Sequence, residues 1–379
     1  MIFILRELYQ RLYKFIFDSK YGIYIFLIII LYPIYPLAYP MILTYWLYKY
    51  FKPSSSTFWS RQPIHSENYG LIKSPESVEV NYPAMQLDSD ETWWYNNNKN
   101  STTTLANFLK QHYEKDIQIT PKYIKWLKYN EGYRIFGIKK RDQLIATIGA
   151  VKTQFRIGQE RRTGYYIDLL CIDKKYRKNG YAVKLLEKII DDWKHDHCEI
   201  MLFKLDNIPI TPSPDFTFQY YILDTSTNTT ITSNSNSKLV RVNESNRVPA
   251  YEYFISQMNH YEIIEDISLE RFKRMRTNYL IKQDNKIIGF VNLRKNKYKK
   301  GIEFVDVIDV IYCLGNKLEI MPLLLALPKV QYYIFLDIAD HKDIIALYKM
   351  KPLYTTKYYF YNFELLNKYD ATDVGINRL

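Results

Sequence analysis

The longest apolar stretch of the chain lies near its amino terminus, where residues 21–48 contain no charged side chain. A helix of that length would exceed the hydrocarbon core of a bilayer, which is about 30 Å thick. Pro33, Pro36 and Pro40 interrupt the stretch, and each proline removes a backbone donor and blocks the preceding turn. We therefore expect residues 1–52 to form a membrane anchor or a re-entrant hairpin. A buried or partner-bound apolar arm is the alternative.

Beyond this stretch, the hydrophobic pattern predicts one structural unit twice. Residues 138–145 (IKKRDQLI) and 281–288 (IKQDNKII) each combine a strand, a polar turn and a second strand. An apolar strand follows each copy, YYIDLLCI at 165–172 and FVDVIDVI at 304–311. A helical pattern comes next in both copies, the second as MPLLLAL. This order predicts two related α+β units, with two unrelated α+β domains as the alternative.

A polar segment separates the two copies. Residues 224–238 (DTSTNTTITSNSNSK) contain a single aliphatic side chain among Ser, Thr, Asn and Asp. Such a composition cannot bury a core, so it is typical of a linker. We therefore place one domain at 53–223 and a second at 239–379.

Composition narrows the class of protein. The 379 residues are too many for a single small module, and 52 Lys and Arg against 40 Asp and Glu give a net charge of +12. This balance favours partners that present phosphate or anionic lipid. Cys171, Cys198 and Cys313 lie far apart, so they form no disulfide framework and suit a reducing compartment.

The most specific local motif follows the strand at 165–172. Residues 177–182 (RKNGYA) have the pattern R-x-x-G-x-A, and a predicted helix begins directly after them. A glycine lets backbone approach a ligand, and free N–H groups at a helix start attract anions. The motif therefore predicts a pyrophosphate site, and a glycine-containing turn beside a solvated basic patch is the alternative. The spacing resembles the acyl-CoA site of the GNAT superfamily of N-acyltransferases.

Three further segments resemble the N-myristoyltransferase family. Residues 58–63 (FWSRQP) are similar to its FW-x-x-QP motif, and 167–177 (IDLLCIDKKYR) to its INFLC-V-x-K-K-x-R strand and loop. Residues 336–353 (LDIADHKDIIALYKMKPL), followed by YYFYNF at 358–363, resemble the family's LDLMENKxFLEKLKF and YYLYNW. The resemblance covers about residues 57–379.

This resemblance implies an α+β fold of two pseudo-symmetric GNAT-like halves. The first half would bind acyl-CoA, and the second would complete the acceptor groove. Residues 313–317 (CLGNK) take the place of R-x-x-G-x-A in the second copy, so one acyl donor per chain is expected. The implied reaction moves a fatty acyl group, expected to be myristoyl, to an N-terminal glycine amine of a protein. Myristoyl-CoA would be a co-substrate, with no permanently bound cofactor and no metal.

The resemblance also assigns roles to individual residues. Backbone N–H groups of Leu169 and Leu170 would polarise the thioester carbonyl, and the carboxylate of Leu379 would accept the amine proton. The expected acyl-CoA contacts are Phe58, Trp59, Tyr113, Cys171, Ile172, Arg177, Lys178, Asn179, Gly180, Tyr181 and Ala182.

Departures from the family leave the acceptor open. An ungapped count puts Lys204 near the family's active-site threonine and Tyr220 near its peptide-contacting histidine. Neither role transfers to such different side chains, and residues 113–116 (YEKD) hold fewer carboxylates than the family's acidic loop. The alternatives are an acyltransferase with another acyl chain or a lysine acceptor, and a catalytically degenerate acyl-CoA-binding membrane scaffold.

Other motifs predict no further chemistry. Residues 195–198 (HDHC) contain metal-ligand types, but positions i and i+2 of a helix point apart, so a solvated helix end is expected. Residues 294–300 (RKNKYKK) predict a solvated hairpin tip or a contact with anionic lipid, because no nucleic-acid-binding motif accompanies them.

The expected location is a membrane, contacted by residues 21–48, with the catalytic body facing the cytosol.

Overall fold

The computed structural model describes residues 64, 70–74, 77–78, 85–96, 99–113, 118–128, 132–205, 214–227, 236–275, 277–300, 303–327, 330–335, 342–365, 369 and 373–376. The chain divides into two compact units, residues 1–57 and 58–379, and every described residue belongs to the second. The predicted membrane segment at 21–48 lies outside the described residues and stays a prediction. Within the described ranges, no helix has both the length and the apolar character needed to cross a bilayer.

The strands are β1 (Gly70–Leu71), β2 (Glu91–Tyr95), β3 (Arg134–Lys140), β4 (Gln143–Ile157), β5 (Glu160–Ile172), β6 (Ile200–Leu205), β7 (Phe216–Asp224), β8 (Lys238–Arg241), β9 (Ile263–Glu265), β10 (Asn278–Gln283), β11 (Lys286–Lys300), β12 (Glu303–Gly315), β13 (Tyr332–Phe335), β14 (Lys351–Tyr361), β15 (Phe363–Glu364) and β16 (Val374–Gly375). The α-helices of the described residues are α1 (Lys99–His112), α2 (Pro121–Trp126), α3 (Tyr181–His195), α4 (Arg247–Met258), α5 (Leu269–Arg274), α6 (Lys317–Leu325) and α7 (Lys342–Leu347).

One large sheet connects most of the described strands. Its order is β16-β9-β4-β5-β6-β14-β7-β13-β12-β11-β10-β8, with β3 beside β4 and β2 beside β3. Helices cover both of its faces. In the first repeat, α1 and α2 pack on one face and α3 on the other. In the second, α4 and α5 pack on one face and α6 and α7 on the other. The chain therefore has the mixed α+β architecture that the sequence predicts.

Both hairpins of the sequence repeat form, and they share one turn geometry. Arg141 and Asp142 join β3 to β4 with φ of 48° and 65°. Asp284 and Asn285 join β10 to β11 with φ of 48° and 66°. Two successive residues with positive φ match the twist of antiparallel strands, and Asp and Asn tolerate this conformation better than most residues. Each repeat then continues through a long hairpin into a helix and a parallel strand, β5 to β6 and β12 to β13.

The two repeats share strands at their junction. β14, from the end of the second repeat, pairs antiparallel with β6 of the first and with β7 on its other side. β7 in turn pairs with β13. A domain boundary at the polar linker would put β7 in the first domain, yet all its strand partners come from the second. The boundary itself stays a prediction.

Helix α6, the helix that follows β12 in the second repeat, begins earlier than its apolar pattern predicts. MPLLLAL predicts helix over 321–327, whereas α6 runs from Lys317 to Leu325, with Asn316 at its N-cap. Asn is a favoured N-cap residue, so the polar residues before the apolar run form the first turn. Pro322 lies inside this helix.

We expect Gly164→Ala to weaken the central pairing of β5 and β6. A Cβ at Gly164 would lie 2.4 Å from the backbone oxygen of Ile200, its partner on β6. Forcing the two strands apart should lower the free energy of unfolding by about 3 kcal/mol, measured by urea titration.

Gly158→Ala is the matched control for this change. Gly158 has φ of 58° and nothing within 4 Å of an added Cβ. It should lose only about 1 kcal/mol to backbone strain. Equal losses in the two variants would contradict a steric limit on the β5–β6 approach.

Candidate functional site

β5 and β6 pair over only part of their lengths. Their parallel register runs from Gly164 opposite Ile200 to Ile167 opposite Phe203. β5 continues to Ile172 and β6 to Leu205, but the two strands make no further pairs. Two parallel strands that stop pairing leave backbone groups of both strands available to a third chain or a ligand. The divergence therefore opens the sheet directly after Ile167.

A β-bulge lies in β5 at this opening. Thr147 pairs with Cys171 and Gly149 with Asp168, so Leu169 and Leu170 together oppose the single residue between Thr147 and Gly149. Leu169 has φ of 56°, and the Thr147 hydroxyl donates to its carbonyl oxygen at 3.2 Å. An extra residue on one strand shifts the alternation of side chains. A similar irregularity occurs in β12, opposite Asn292 and Leu293.

A short basic loop joins the bulged strand to α3. Asp173 begins it, and its carboxylate accepts the backbone N–H of Lys175 at 3.0 Å. Lys178 has φ of 69°, and Gly180 has φ of 80° at the N-cap of α3. The side chains of the loop bring four exposed positive charges to this helix start: Lys174, Lys175, Arg177 and Lys178.

Space around Gly180 distinguishes the first repeat from the second. A Cβ added at Gly180 would meet nothing within 4 Å, so the backbone there is open to a ligand. The corresponding glycine of the second repeat is Gly315, the last residue of β12, where a Cβ would lie 2.3 Å from the backbone oxygen of Ile288. Only Asn316 separates Gly315 from α6. Of the two repeats, the first alone therefore combines a loop, exposed cations and an accessible helix start.

A buried carboxylate, that of Glu91, anchors the start of α3 through hydrogen bonds. Glu91 accepts hydrogen bonds from the Tyr181 hydroxyl, from Lys184 Nζ at 3.0 Å and from Lys140 Nζ at 3.2 Å. Burial alone would raise the pKa of Glu91, but hydrogen bonds from Tyr181, the Asp88 backbone, Lys184 and Lys140 outweigh it and lower the pKa to about 2. Burial and the hydrogen bond to Glu91 raise the pKa of Tyr181 to about 12. The first turn of α3 is thus tied to β2 and β3.

The opposite face of the opening holds a second buried charge network. Asp168 Oδ1 accepts the backbone N–H of Leu169 at 2.7 Å and the Tyr113 hydroxyl at 3.1 Å. Lys204 Nζ lies 3.1 Å from Asp168 Oδ2, and the Lys204 and Asp168 side chains are 5% and 10% exposed. Lys204 Nζ also lies 5.9 Å from the centre of the Tyr166 ring. This network faces the helices α1 and α2, whereas α3 packs on the other face.

Tyrosines surround the Asp168–Lys204 pair. Tyr358 is the cross-strand partner of Lys204, and its hydroxyl lies 3.3 Å from that of Tyr220. The Tyr220 ring stacks on that of Tyr354 at 4.5 Å. Burial, with the neighbouring Tyr220, raises the pKa of Tyr358 well above its ordinary value. The Tyr358 hydroxyl therefore stays protonated and can donate a hydrogen bond at neutral pH.

Comparison with known protein families gives a match within the first repeat. Residues 98–209 match the model of the acetyltransferase (GNAT) family. This range contains the bulge, the basic loop and α3. Residues 98–209, called the GNAT domain here, are thus similar to members of that family. A search of curated protein sequences finds no match to this chain.

Solved structures match the GNAT domain together with the second repeat. N-myristoyltransferase of Saccharomyces cerevisiae with bound myristoyl-CoA superposes with a TM-score of 0.72 at 15% identity, over 86% of this chain and 100% of the yeast chain. A second yeast structure with myristoyl-CoA gives 0.71 at 15% identity, over 85% and 94%. A glucosamine N-acetyltransferase region of a fungal multi-domain protein gives 0.53 at 10% identity, over 73% and 38%.

The chain thus has the N-myristoyltransferase fold, and the resemblance inferred from sequence is confirmed at that level. The GNAT domain places the predicted residues in two groups. Leu169, Leu170, Cys171 and Ile172 form the bulge and the end of β5, and the loop and first turn of α3 hold Arg177, Lys178, Asn179, Gly180, Tyr181 and Ala182. Tyr113 contacts Asp168 through its hydroxyl. Phe58, Trp59 and Leu379 lie outside the described residues, and their roles stay predictions.

Three residues of these networks have no role that sequence patterns predict. Asp168 lies inside the strand motif, where the family pattern has asparagine. This replacement of an amide by a carboxylate is the sequence signal that could have indicated a role for Asp168. Lys204 was located by residue count alone. No local sequence pattern indicates a role for Glu91, because its partners Tyr181 and Lys184 lie about 90 residues away in sequence.

An acidic cluster in the described residues is an ion-pair network. Carboxylates of Asp88, Asp90 and Glu91 approach within 4.8 Å of one another. Lys140 Nζ lies 3.5, 3.1 and 3.2 Å from these three carboxylates, and Arg141 Nε lies 3.1 Å from Asp90. The cations already neutralise the cluster, so its donor set does not favour a metal.

We expect Glu91→Gln to destabilise the start of α3. The substitution removes a buried carboxylate between two partly buried ammonium groups, and should lower the free energy of unfolding at pH 7 by about 3 kcal/mol. Glu244→Gln, at an exposed position, is the control and should change little.

The pH dependence supplies a second test of the Glu91 network. The pKa of Glu91 is about 2 in the folded protein and 4.5 for an ordinary glutamate, so below pH 4.5 the unfolded state binds more protons. The stabilisation from Glu91 is present above pH 4.5 and is lost as the pH falls towards 2. The difference in unfolding free energy between wild type and Glu91→Gln should therefore shrink over this window. A constant difference would contradict the network.

Proposed function

We propose that this protein transfers a fatty acyl group, expected to be myristoyl, from acyl-CoA to the N-terminal glycine amine of an acceptor protein. The observation that carries the proposal is the sequence of features along β5. The strand diverges from β6 after Ile167, bulges at Leu169 and Leu170, and leads through a basic loop to the open backbone at Gly180.

The loop and α3 suit the phosphates of CoA. The first N–H groups of a helix have no intrahelical acceptor, and α3 has no side-chain cap. Gly180 lets a phosphate approach these groups, and the helix dipole favours negative charge there. Lys174, Lys175, Arg177 and Lys178 add positive charge around the loop. The yeast N-myristoyltransferase structures of the same fold contain myristoyl-CoA, which supports this co-substrate.

The divergence of β5 and β6 suits the remainder of the donor. An acyl thioester at the opening would bring its carbonyl beside the bulge, where backbone N–H groups can stabilise a developing oxyanion. The acceptor amine would reach the carbonyl from the face that holds Asp168 and Lys204. Amide formation then needs no acyl-enzyme, because holding the two reactants together supplies most of the rate enhancement.

The acceptor is the least constrained part of the proposal. Lys204 and Tyr220 stand near the positions where the family resemblance expects threonine and histidine. Tyr220 is buried, and the Lys204 side chain is 5% exposed. These differences favour testing a lysine side chain and other acyl lengths beside glycine peptides and myristoyl-CoA. A scaffold that binds acyl-CoA without turnover is the alternative from another class. We further propose that residues 21–48 attach the protein to a membrane, with the catalytic body in the cytosol.

We expect Gly180→Glu to abolish acyl-CoA binding while the fold is retained. The new side chain would place bulk and negative charge where the pyrophosphate is expected. Titration calorimetry should show at least a 100-fold loss of affinity, about 2.7 kcal/mol. Circular dichroism should remain unchanged.

Gly158→Glu controls for the chemical change itself. Gly158 also has positive φ and open space around an added Cβ, but it lies in the turn between β4 and β5. This variant should bind acyl-CoA as the wild type does. Wild-type affinity in Gly180→Glu would rule out the pyrophosphate site.

The Leu379 carboxylate is a proposed general base and has its own test. Adding residues after Leu379 would displace the carboxylate without changing a side chain. Turnover with a glycine peptide should fall by about 10²–10⁴, and acyl-CoA affinity should change little. Removing the extension with a protease should restore activity. Equal turnover before and after removal would assign the proton to another group.

A further inference from the structure

The buried Asp168–Lys204 pair lies at the reaction centre of the proposed function. Asp168 precedes the bulge, and Lys204 is on the part of β6 that no longer pairs with β5. The two charged atoms are 3.1 Å apart, and neither side chain is more than 10% exposed. Lysine is seldom buried to this extent, and a buried ion pair generally adds little net stability. A purely structural role therefore explains this pair poorly.

The same carboxylate affects the predicted backbone donors. The Leu169 N–H points to Asp168 Oδ1 at 2.7 Å, so one of the two groups assigned to the thioester carbonyl already has an acceptor. Tyr113 and Lys204 donate to the same carboxylate. Three donors thus converge beside the bulge on a negatively charged oxygen pair. The Asp168 carboxylate would repel a second negative oxygen close by, so an oxyanion at the bulge needs a cation that contacts both groups.

We propose that Lys204 is a catalytic residue that donates a hydrogen bond to the thioester carbonyl oxygen, with Asp168 as the residue that positions it. An ammonium has three N–H groups, so it can hold Asp168 and also donate to an adjacent oxygen. Its full charge acts in a buried site, where electrostatic effects are stronger than in water. A fixed cation also disfavours the protonated form of an approaching amine, which is the form that cannot attack.

The chemical step balances without a further reagent. The neutral amine attacks the thioester carbonyl, a C–N bond forms, and negative charge develops on the oxygen that Lys204 contacts. The nitrogen, positively charged after the attack, releases a proton to the proposed base, the Leu379 carboxylate. The C–S bond then breaks, the carbonyl re-forms as an amide, and CoA leaves as a thiolate. Lys204 keeps its protons throughout. This inference rests on the proposed function, because it needs an acyl thioester at the bulge.

Three variants test the role of Lys204. Lys204→Met removes the charge, Lys204→Arg keeps it, and Lys204→Met combined with Asp168→Asn removes both charges without leaving either buried alone. Each is assayed for kcat/KM with myristoyl-CoA and a glycine peptide, for thermal unfolding and for affinity towards CoA. We expect kcat/KM to fall about 10²–10³-fold in Lys204→Met and to recover at least tenfold in Lys204→Arg.

The double variant separates catalysis from stability. It should regain the unfolding temperature that the single Met variant loses, because no charge is left unpaired. Its kcat/KM should nevertheless stay as low as that of the single variant, with CoA affinity unchanged in all of them. Restored activity in the double variant, or wild-type activity in Lys204→Met, would overturn the inference.

A surrogate nucleophile separates this inference from the choice of acceptor. Hydroxylamine can cleave the bound thioester through the same oxyanion. Cleavage that depends on Lys204 without any acylated glycine peptide would support the inference and refute the proposed acceptor. Acylated peptide formed equally well by wild type and Lys204→Met would refute the inference and support the proposed function. Failure of both reactions in the wild type would refute both.

Discussion

The candidate site depends on the parallel pairing of β5 with β6 and on its end at Ile167. Close packing at Gly164, where backbone of the two strands meets, holds the strands together below this point. Above it, the bulge redirects β5, and Asp168 and Lys204 fill one side of the gap. If the strands paired to their ends, their backbone groups would satisfy each other, and neither an acyl thioester nor an amine could approach the bulge.

The two charge networks lie on opposite faces of this opening and have different partners. Glu91 supports the helix start that is proposed to bind phosphate, and its three hydrogen-bonding side chains come from β3 and α3. Asp168 and Lys204 occupy the face proposed for the acceptor. In the proposed function, donor binding and amine activation would thus use separate residues, so each could change without the other. The unusual acceptor-side residues are compatible with an intact donor site for this reason.

Local patterns in the sequence were sufficient for the hairpins, the strand at 165–172, the loop and the helix after it. Each of these depends on alternation, turn residues or a glycine within a few positions. The contacts that complete the site do not depend on such local patterns. Glu91 meets Tyr181, Asp168 meets Lys204, and β14 enters between β6 and β7. Such contacts join segments 36 to about 150 residues apart, and no local periodicity encodes them. The resemblance to a known family predicts the fold but not the Asp168–Lys204 ion pair, because both of these residues differ from the family pattern.

The position of β14 has a consequence for how the protein is made. β6 and β7 are synthesised early, yet the strand that separates them in the sheet ends only at Tyr361. Until then, a nascent chain on the ribosome has two strand edges without their final partner, and both are rich in apolar residues. Exposed edges of this kind pair readily with other chains. Overproduction should therefore be limited by aggregation during synthesis, and lowering the rate of initiation or supplying a chaperone that covers strand edges should raise the soluble yield.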